Sequence, residues 1–316
     1  MQNRLGGLVT IGLAIAGVRL FAQTKSPSDS TFVPVQTIIT VEARHDHDRA
    51  VPSLKQEDVM VYERRERLKV TELVAFEDSN AGLDLFILLD DASSTSLGSQ
   101  LADLRQFIEA QPVTTAIGVG YMRNGSYDLR QKLTTDHALA AKSLRIPLSS
   151  AGVMPSPYLS LSDLIKKWPG NSARREVLMV TSGIDPLGGF GPTNPYLETA
   201  IDDAQRHGVI VYTIYAPPAG HAGHSYFRLN LAQSHLAQIS EETGGESYML
   251  GLGPLVSFAP YLGEISARLA HQYRVTFLIK PEKKSGFRSV RFVTETPDAE
   301  LLGASRIYVP AEQVRQ

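Results

Sequence analysis

Three oxygen-bearing side chains at alternate positions, Asp91, Ser93 and Thr95, follow an apolar run from Leu83 to Leu89. One carboxylate and two hydroxyls on a single turn are hard ligands of the kind that hold a divalent cation such as Mg²⁺. The neighbouring Asp90 permits a second register, but Asp90-x-Ala92 lacks the first hydroxyl. Such a turn works only if something fixes it, and the run before it reads as a buried strand that ends there.

The elements around that strand repeat one theme. Leu97, Leu101, Leu104 and Ile108 follow helical spacing, and Thr115–Met122 is a second strand. Helices are expected at His137–Leu144 and Tyr158–Lys167, and a buried strand at Val177–Val180. Asn194-Pro195 opens a helix as cap and first residue, and Gly208 closes it before the strand Val209–Tyr215. A helix over Leu229–Glu242, a short strand Ser247–Leu250 and a helix Leu255–Ala270 follow. Apolar strands separated by helices predict a doubly wound, mostly parallel α/β sheet covered on both faces. The text on either side alternates with period two: Val35, Thr37, Ile39 and Val41 before it, Tyr273, Val275, Phe277 and Ile279 after it. The second of these reads as a hairpin with Ser289–Thr294, and Leu301–Val309 as a last strand. A small flanking β unit built from both termini is therefore expected.

In an open parallel sheet, ligands sit beyond the carboxyl ends of the strands. Three loops converge there: Asp90–Ser96, Met154–Ser160, and Thr181-Ser182-Gly183-Ile184-Asp185. With these residues in view, the chain resembles the von Willebrand factor type A domain, in the exported bacterial branch with β flanks. The resemblance runs over about 32–310. It is carried by Phe86–Thr95, by Val177–Gly183, by the helix end Ile239–Gly245 and by Tyr273–Val293.

The resemblance implies a metal ion-dependent adhesion site and a protein partner whose carboxylate completes the ion. Asp91, Ser93 and Thr95 match the first-loop motif. In the second loop Ser156 takes the place of the usual threonine, with Ser160 as its rival. In the third loop Ser182 stands where the family has an aspartate, and Asp185 lies two residues past Gly183. Mg²⁺ binds chiefly through carboxylates, so this degenerate set implies a weak site or none. The expected function is a non-enzymatic protein-binding module. Its alternatives are an envelope scaffold with a vestigial site and a hydrolase using the loop hydroxyls.

Other constellations are thinner. His221-Ala222-Gly223-His224 offers two metal-type ligands without a third, and His45-Asp46-His47-Asp48 reads as a solvated turn. No Gly-x-Ser-x-Gly elbow surrounds Ser182, and no Gly-x-x-x-x-Gly-Lys or Gly-x-Gly-x-x-Gly follows a strand.

Composition narrows the classes further. The 316 residues are 43% hydrophobic and 20% charged with a net charge of −2, which gives no general affinity for nucleic acid. The absence of cysteine excludes disulfides, thiol catalysis and zinc–thiolate sites. Arg4, the apolar stretch Leu5–Val18 and Leu20-Phe21-Ala22-Gln23 read as a signal peptide over 1–22, shorter in its apolar part than the ~20 residues of a membrane span. A polar linker over 23–31 follows, then a β segment over 32–78, the α/β domain over 79–271 and the closing β segment over 272–316. The expected location is periplasmic or extracellular.

Overall fold

The computed structural model describes residues 32–44, 51–149, 154–169, 174–189, 191–220, 225–249 and 256–312. The expected signal peptide, the linker and the clusters at 45–48 and 221–224 lie outside the described residues. In chain order the elements are β1 (Val33–Ala43), β2 (Val59–Glu63), β3 (Glu66–Ala75), β4 (Leu83–Asp90), α1 (Leu101–Glu109), β5 (Thr115–Arg123) and β6 (Ser126–Thr134). They continue as α2 (His137–Lys142), α3 (Pro157–Lys166), β7 (Arg175–Thr181), α4 (Pro195–His207), β8 (Val209–Tyr215), α5 (Tyr226–Thr243) and β9 (Ser247–Tyr248). The last are α6 (Ala259–Ala270), β10 (Gln272–Ile279), β11 (Gly286–Thr294), β12 (Ala299–Gly303) and β13 (Arg306–Val309).

One sheet has six strands in the order β6-β5-β4-β7-β8-β9. All pairings are parallel except that of the edge strand β6. The continuous apolar text of β4 has a direct cause: Leu85, Ile87 and Leu89 pack on one face with α1, α2 and α6, and Phe86 and Leu88 on the other with α3, α4 and α5. A strand buried on both faces has no polar alternation to show. Helix limits follow local chemistry. Asn194 Oδ1 accepts from the N–H groups of Tyr196 and Leu197, and Gly208 ends α4 in the left-handed region at φ 63°.

The sequence reading missed β6. Its signal is Asn124-Gly125, both at positive φ, which is the two-residue turn that joins antiparallel strands. β6 is an edge strand, half polar, so its pattern is weak.

The second sheet is antiparallel, with seven strands in the order β12-β1-β10-β3-β2-β11-β13. It draws on both sides of the α/β segment and encloses its own apolar cluster around Ile39, Val61, Val275 and Phe277. The expected hairpin between β10 and β11 is not formed. Both edges of β10 are taken, by β1 and β3, and β11 pairs with β2 and β13. A strand that ends up central has no free edge for its sequence neighbour.

Candidate functional site

In the six-stranded sheet, strand order reverses between β4 and β7: the chain moves from β4 to β5 on one side and returns to β7 on the other. The crevice beyond that pair is where this architecture places a ligand. Asp90, the last residue of β4, and Thr181, the last of β7, meet there. The Thr181 hydroxyl donates to Asp90 Oδ2 at 2.7 Å, and the Ala92 N–H donates to Oδ1 at 2.9 Å. Burial pushes the Asp90 carboxyl up to about 6; these two hydrogen bonds pull the other way, and the charge of Asp91 adds to the rise.

Asp91, the first residue of the turn after β4, makes different contacts. Its carboxylate is fully buried and already has a cation. Arg145 grips it with both arms of the guanidinium, Nη1 to Oδ1 at 2.7 Å and Nη2 to Oδ2 at 2.8 Å. The Leu148 N–H adds a third donor at 3.2 Å. The guanidinium lies 3.8 Å from the centre of the Tyr121 ring, and the Tyr121 hydroxyl donates to the Arg145 carbonyl and accepts from its N–H, each at 2.7 Å. A two-pronged, charge-assisted bond over an aromatic platform is among the stronger polar contacts a protein makes. Asp91 in turn raises the pKa of Arg145, chiefly through that bond. In this structure both Asp91 oxygens face a guanidinium where the motif led one to expect a metal ion.

The other predicted ligands divide. Ser93 is buried, and its Oγ has no hydrogen-bond partner among the described residues. Ser156 precedes α3 at the cap position without capping it, and its buried Oγ is likewise unpartnered. Ser160 is committed to the helix, donating to the Ser156 carbonyl at 2.9 Å. Thr95 is exposed in the first residue of a 3-10 turn, and Ser94 caps it by accepting from the Ser96 N–H. Ser182 is buried and its Oγ accepts from the Ile184 N–H at 3.3 Å. Asp185 is tied to its own loop by the Gly188 N–H and Asn194 Nδ2 at 3.3 and 3.2 Å. Beside it His235 is buried, which lowers its pKa against the opposing pull of the Pro192 carbonyl. Gly183 between these residues is required: its φ is 72°, and a Cβ there would stand 2.8 Å from the Ala232 carbonyl oxygen. No group of three or more His, Cys, Asp or Glu side chains disposed to hold a metal occurs among the described residues.

The first loop is clamped from both sides. Residues 145–149 lie along it, with the Ser149 N–H on the Asp91 carbonyl at 3.0 Å and the Ser149 hydroxyl on the Ser93 carbonyl. On the opposite side the Ser94 N–H donates to the Pro217 carbonyl at 2.8 Å and the Ala219 N–H to the Ala92 carbonyl at 3.0 Å. Arg145, which the sequence reading did not single out, is thus central, and its separation of 54 residues from Asp91 left no local signal.

Ile146, Leu148, Met154, Leu187, Tyr226, Phe227 and Val256 are all exposed, and all lie in segments on the carboxyl side of the parallel strands. Only Phe32, Val113 and Leu139 complete the exposed large apolar residues among those described.

No protein-family model matches the chain, and no curated protein matches it in sequence. Among solved structures it is similar to an aerotolerance-related membrane protein from Bacteroides fragilis (13% identity, 60% of this chain and 98% of that one, TM-score 0.45). It is also similar to BatB from Bacteroides thetaiotaomicron (12% identity, 60% and 98%, TM-score 0.43) and to the ArnB paralog VWA2 from Sulfolobus acidocaldarius (6% identity, 87% and 76%, TM-score 0.39). By its own strand order, with helices on both faces and one antiparallel edge, the six-stranded unit has a von Willebrand A-like fold.

Proposed function

We propose that this chain is an exported protein-interaction module that grips its partner through the carboxyl edge of the six-stranded sheet without a metal ion. The observation that carries this reading is the set of seven exposed apolar side chains, Leu148 and Phe227 among them, in segments on the same side of the sheet as a polar centre whose Asp91 is already paired with Arg145. Exposed apolar side chains gathered on one edge mark an interaction surface more often than scattered ones do. The Arg145 guanidinium stands in for the cation the family motif implies, and it neutralises Asp91 without solvent-borne metal. Of the other carboxylates in these loops, Asp90 already accepts from Thr181 and Ala92 and Asp185 from Gly188 and Asn194; with only neutral serine hydroxyls beside them, this is a weak set for Mg²⁺.

In this reading the antiparallel sheet is the flanking β unit that carries the α/β domain, and the apolar stretch Leu5–Val18 directs export. No helix among the described residues is long and apolar enough to cross a membrane.

The test uses the chain as bait on cell-envelope extracts, alone and as the double variant Leu148→Asp/Phe227→Asp, with and without a chelator. Partner retained on the wild type in chelator, and lost on the variant, is the expected result. Loss on adding chelator overturns the metal-free reading, and equal capture by both baits overturns the edge.

A further inference from the structure

A cleft of about 280 Å³ lies far from the carboxyl edge, between β1, the end of α4 and the segment leading into β13. Its lining contains Arg206, Arg274, Arg306 and His207 and not one carboxylate. Each cation has a different status. Arg306 is balanced from outside the cleft by Asp202 at 2.9 Å and Glu242 at 3.6 Å. Arg206 lies over the Tyr308 ring at 4.2 Å, an aromatic contact that orients the guanidinium and leaves its charge. Arg274 projects from β10, where it pairs in register with Ile38, and its Nε is buried with no hydrogen-bond partner among the described residues. A second side chain of the cleft is in the opposite condition. Gln205 is buried and donates through Nε2 to the Glu242 carbonyl at 2.7 Å and Ser305 Oγ at 3.3 Å, while its Oε1 has no partner.

Buried polar atoms are almost always paired, so two orphans on one cleft need an explanation. They differ in kind. Arg274 offers a charged donor and Gln205 an acceptor. The C-terminal carbonyls of α4 bring about half a negative charge to this end of the helix, less than two guanidiniums supply. Val35, Ile38 and Ile307 form an apolar wall in the same cleft.

We infer that this cleft binds a small oxyanion that also carries an O–H donor, hydrogen phosphate or the singly protonated form of a phosphate monoester, with Arg274 and Arg206 on its charged oxygens and Gln205 Oε1 on its hydroxyl. A guanidinium suits such oxygens by its planar array of donors. Sulfate has the same shape and charge type but no proton at neutral pH, so the Gln205 contact discriminates between the two ions.

The test is isothermal titration of the full chain at fixed ionic strength and pH 6, where about half of a monoester keeps its proton, with inorganic phosphate, glycerol 3-phosphate and sulfate. One phosphate site per chain, with sulfate at least tenfold weaker, is expected. Glycerol 3-phosphate tighter than inorganic phosphate assigns the apolar wall to an organic body; equal affinity assigns the site to the free ion. Arg274→Gln should weaken phosphate at least tenfold, Arg206→Gln several-fold, and Gln205→Leu should erase the preference over sulfate. Arg274→Lys, which keeps the charge, should restore part of the affinity and guards against a folding defect in the glutamine variant. No saturable heat with any of the ions, or equal binding by folded Arg274→Gln and Arg206→Gln, overturns the site. Equal binding of phosphate and sulfate by the wild type overturns the role of Gln205.

Discussion

The central sheet has an arginine–carboxylate pair at each end, and the two are built for different purposes. At the amino end, where β7 begins and β10 passes, Arg174 Nε reaches Glu176 Oε1 at 3.1 Å and Gln272 Oε1 at 2.7 Å. The guanidinium also donates to the Leu269 carbonyl and lies over the Phe76 ring. Gln272 passes the chain of bonds to Thr40 and Tyr212. Both charged side chains are sealed, Arg174 to 4% and Glu176 to 0% exposure, and burial raises the pKa of Glu176 against the pull of Arg174. At the carboxyl end Asp91 is equally buried, but the flank of Arg145 is 26% exposed and rides on a surface segment. The inner pair joins the two sheets and has no route to exchange partners. The outer pair holds its anion inside and presents its cation to the solvent at the candidate recognition edge.

The comparison is broken hardest at the inner pair. Arg174→Met strands a buried carboxylate and removes the donor to Gln272, which should cost about 3–5 kcal/mol of unfolding free energy. Arg174→Met combined with Glu176→Leu should recover more than half of that, because the uncompensated charge is gone. Urea unfolding of the single and double variants measures both. A single variant within 1 kcal/mol of wild type would show that the network is not what joins the sheets.

At the outer pair the same operation should be milder and leave a different trace. Arg145→Gln should lose about 1–3 kcal/mol, since part of the arginine's charge is already screened by water. It also leaves Asp91 without its internal cation beside Asp90 and the free hydroxyl of Ser93. Millimolar Mg²⁺ or Mn²⁺ should then raise the thermal midpoint of the variant and leave that of the wild type unmoved. An equal response in both proteins would show that Arg145 does not stand in for a metal.

Asp90 sharpens the contrast through pH. Its carboxyl titrates at about 6 in the folded chain against 3.8 when unfolded, because burial disfavours the charge. The folded state therefore holds the proton more tightly. The contribution is favourable below about pH 4 and is lost as pH rises to about 6, then stays flat. The shift amounts to at most about 3 kcal/mol at 1.36 kcal/mol per unit. Asp90→Asn should remove this fall between pH 4 and 6 and make the protein more stable than wild type at pH 7.5. Urea midpoints across pH 4–8 test it; parallel curves for the two proteins would place the burden elsewhere.

These pairs also mark what the sequence could and could not show. Strands β4, β7 and β8 are legible because burial on both faces demands unbroken apolar text, and α4 is legible because its cap, its proline and its closing glycine are local. Asp90 and Asp91 are adjacent letters, yet one closes β4 against Thr181 and the other, already in the turn, meets Arg145. Which of them meets the third loop depends on the partner strand. Arg145 reaches Asp91 across 54 residues, and the pairing of β10 with β1 and β3, not β11, is likewise non-local. Spacing rules see neighbours along the chain, and both the missed Arg145 contact and the misplaced hairpin concern neighbours across it.

The mildest variants bear most directly on function. Leu148 and Phe227 are exposed and belong to none of the buried clusters, so Leu148→Ser and Phe227→Ser should each change unfolding free energy by no more than about 0.5 kcal/mol. Leu148 sits three residues from Arg145 and donates its N–H to Asp91, a backbone contact that serine keeps. If the edge is a recognition surface, each serine should weaken partner binding at least tenfold while the Asp91–Arg145 pair, and hence stability, stays intact. The inner pair predicts the reverse pattern, large effects on stability and none on binding by the molecules that remain folded. A Leu148→Ser protein that binds normally would separate the polar centre from the exposed apolar side chains and leave Asp91–Arg145 as a second structural pair.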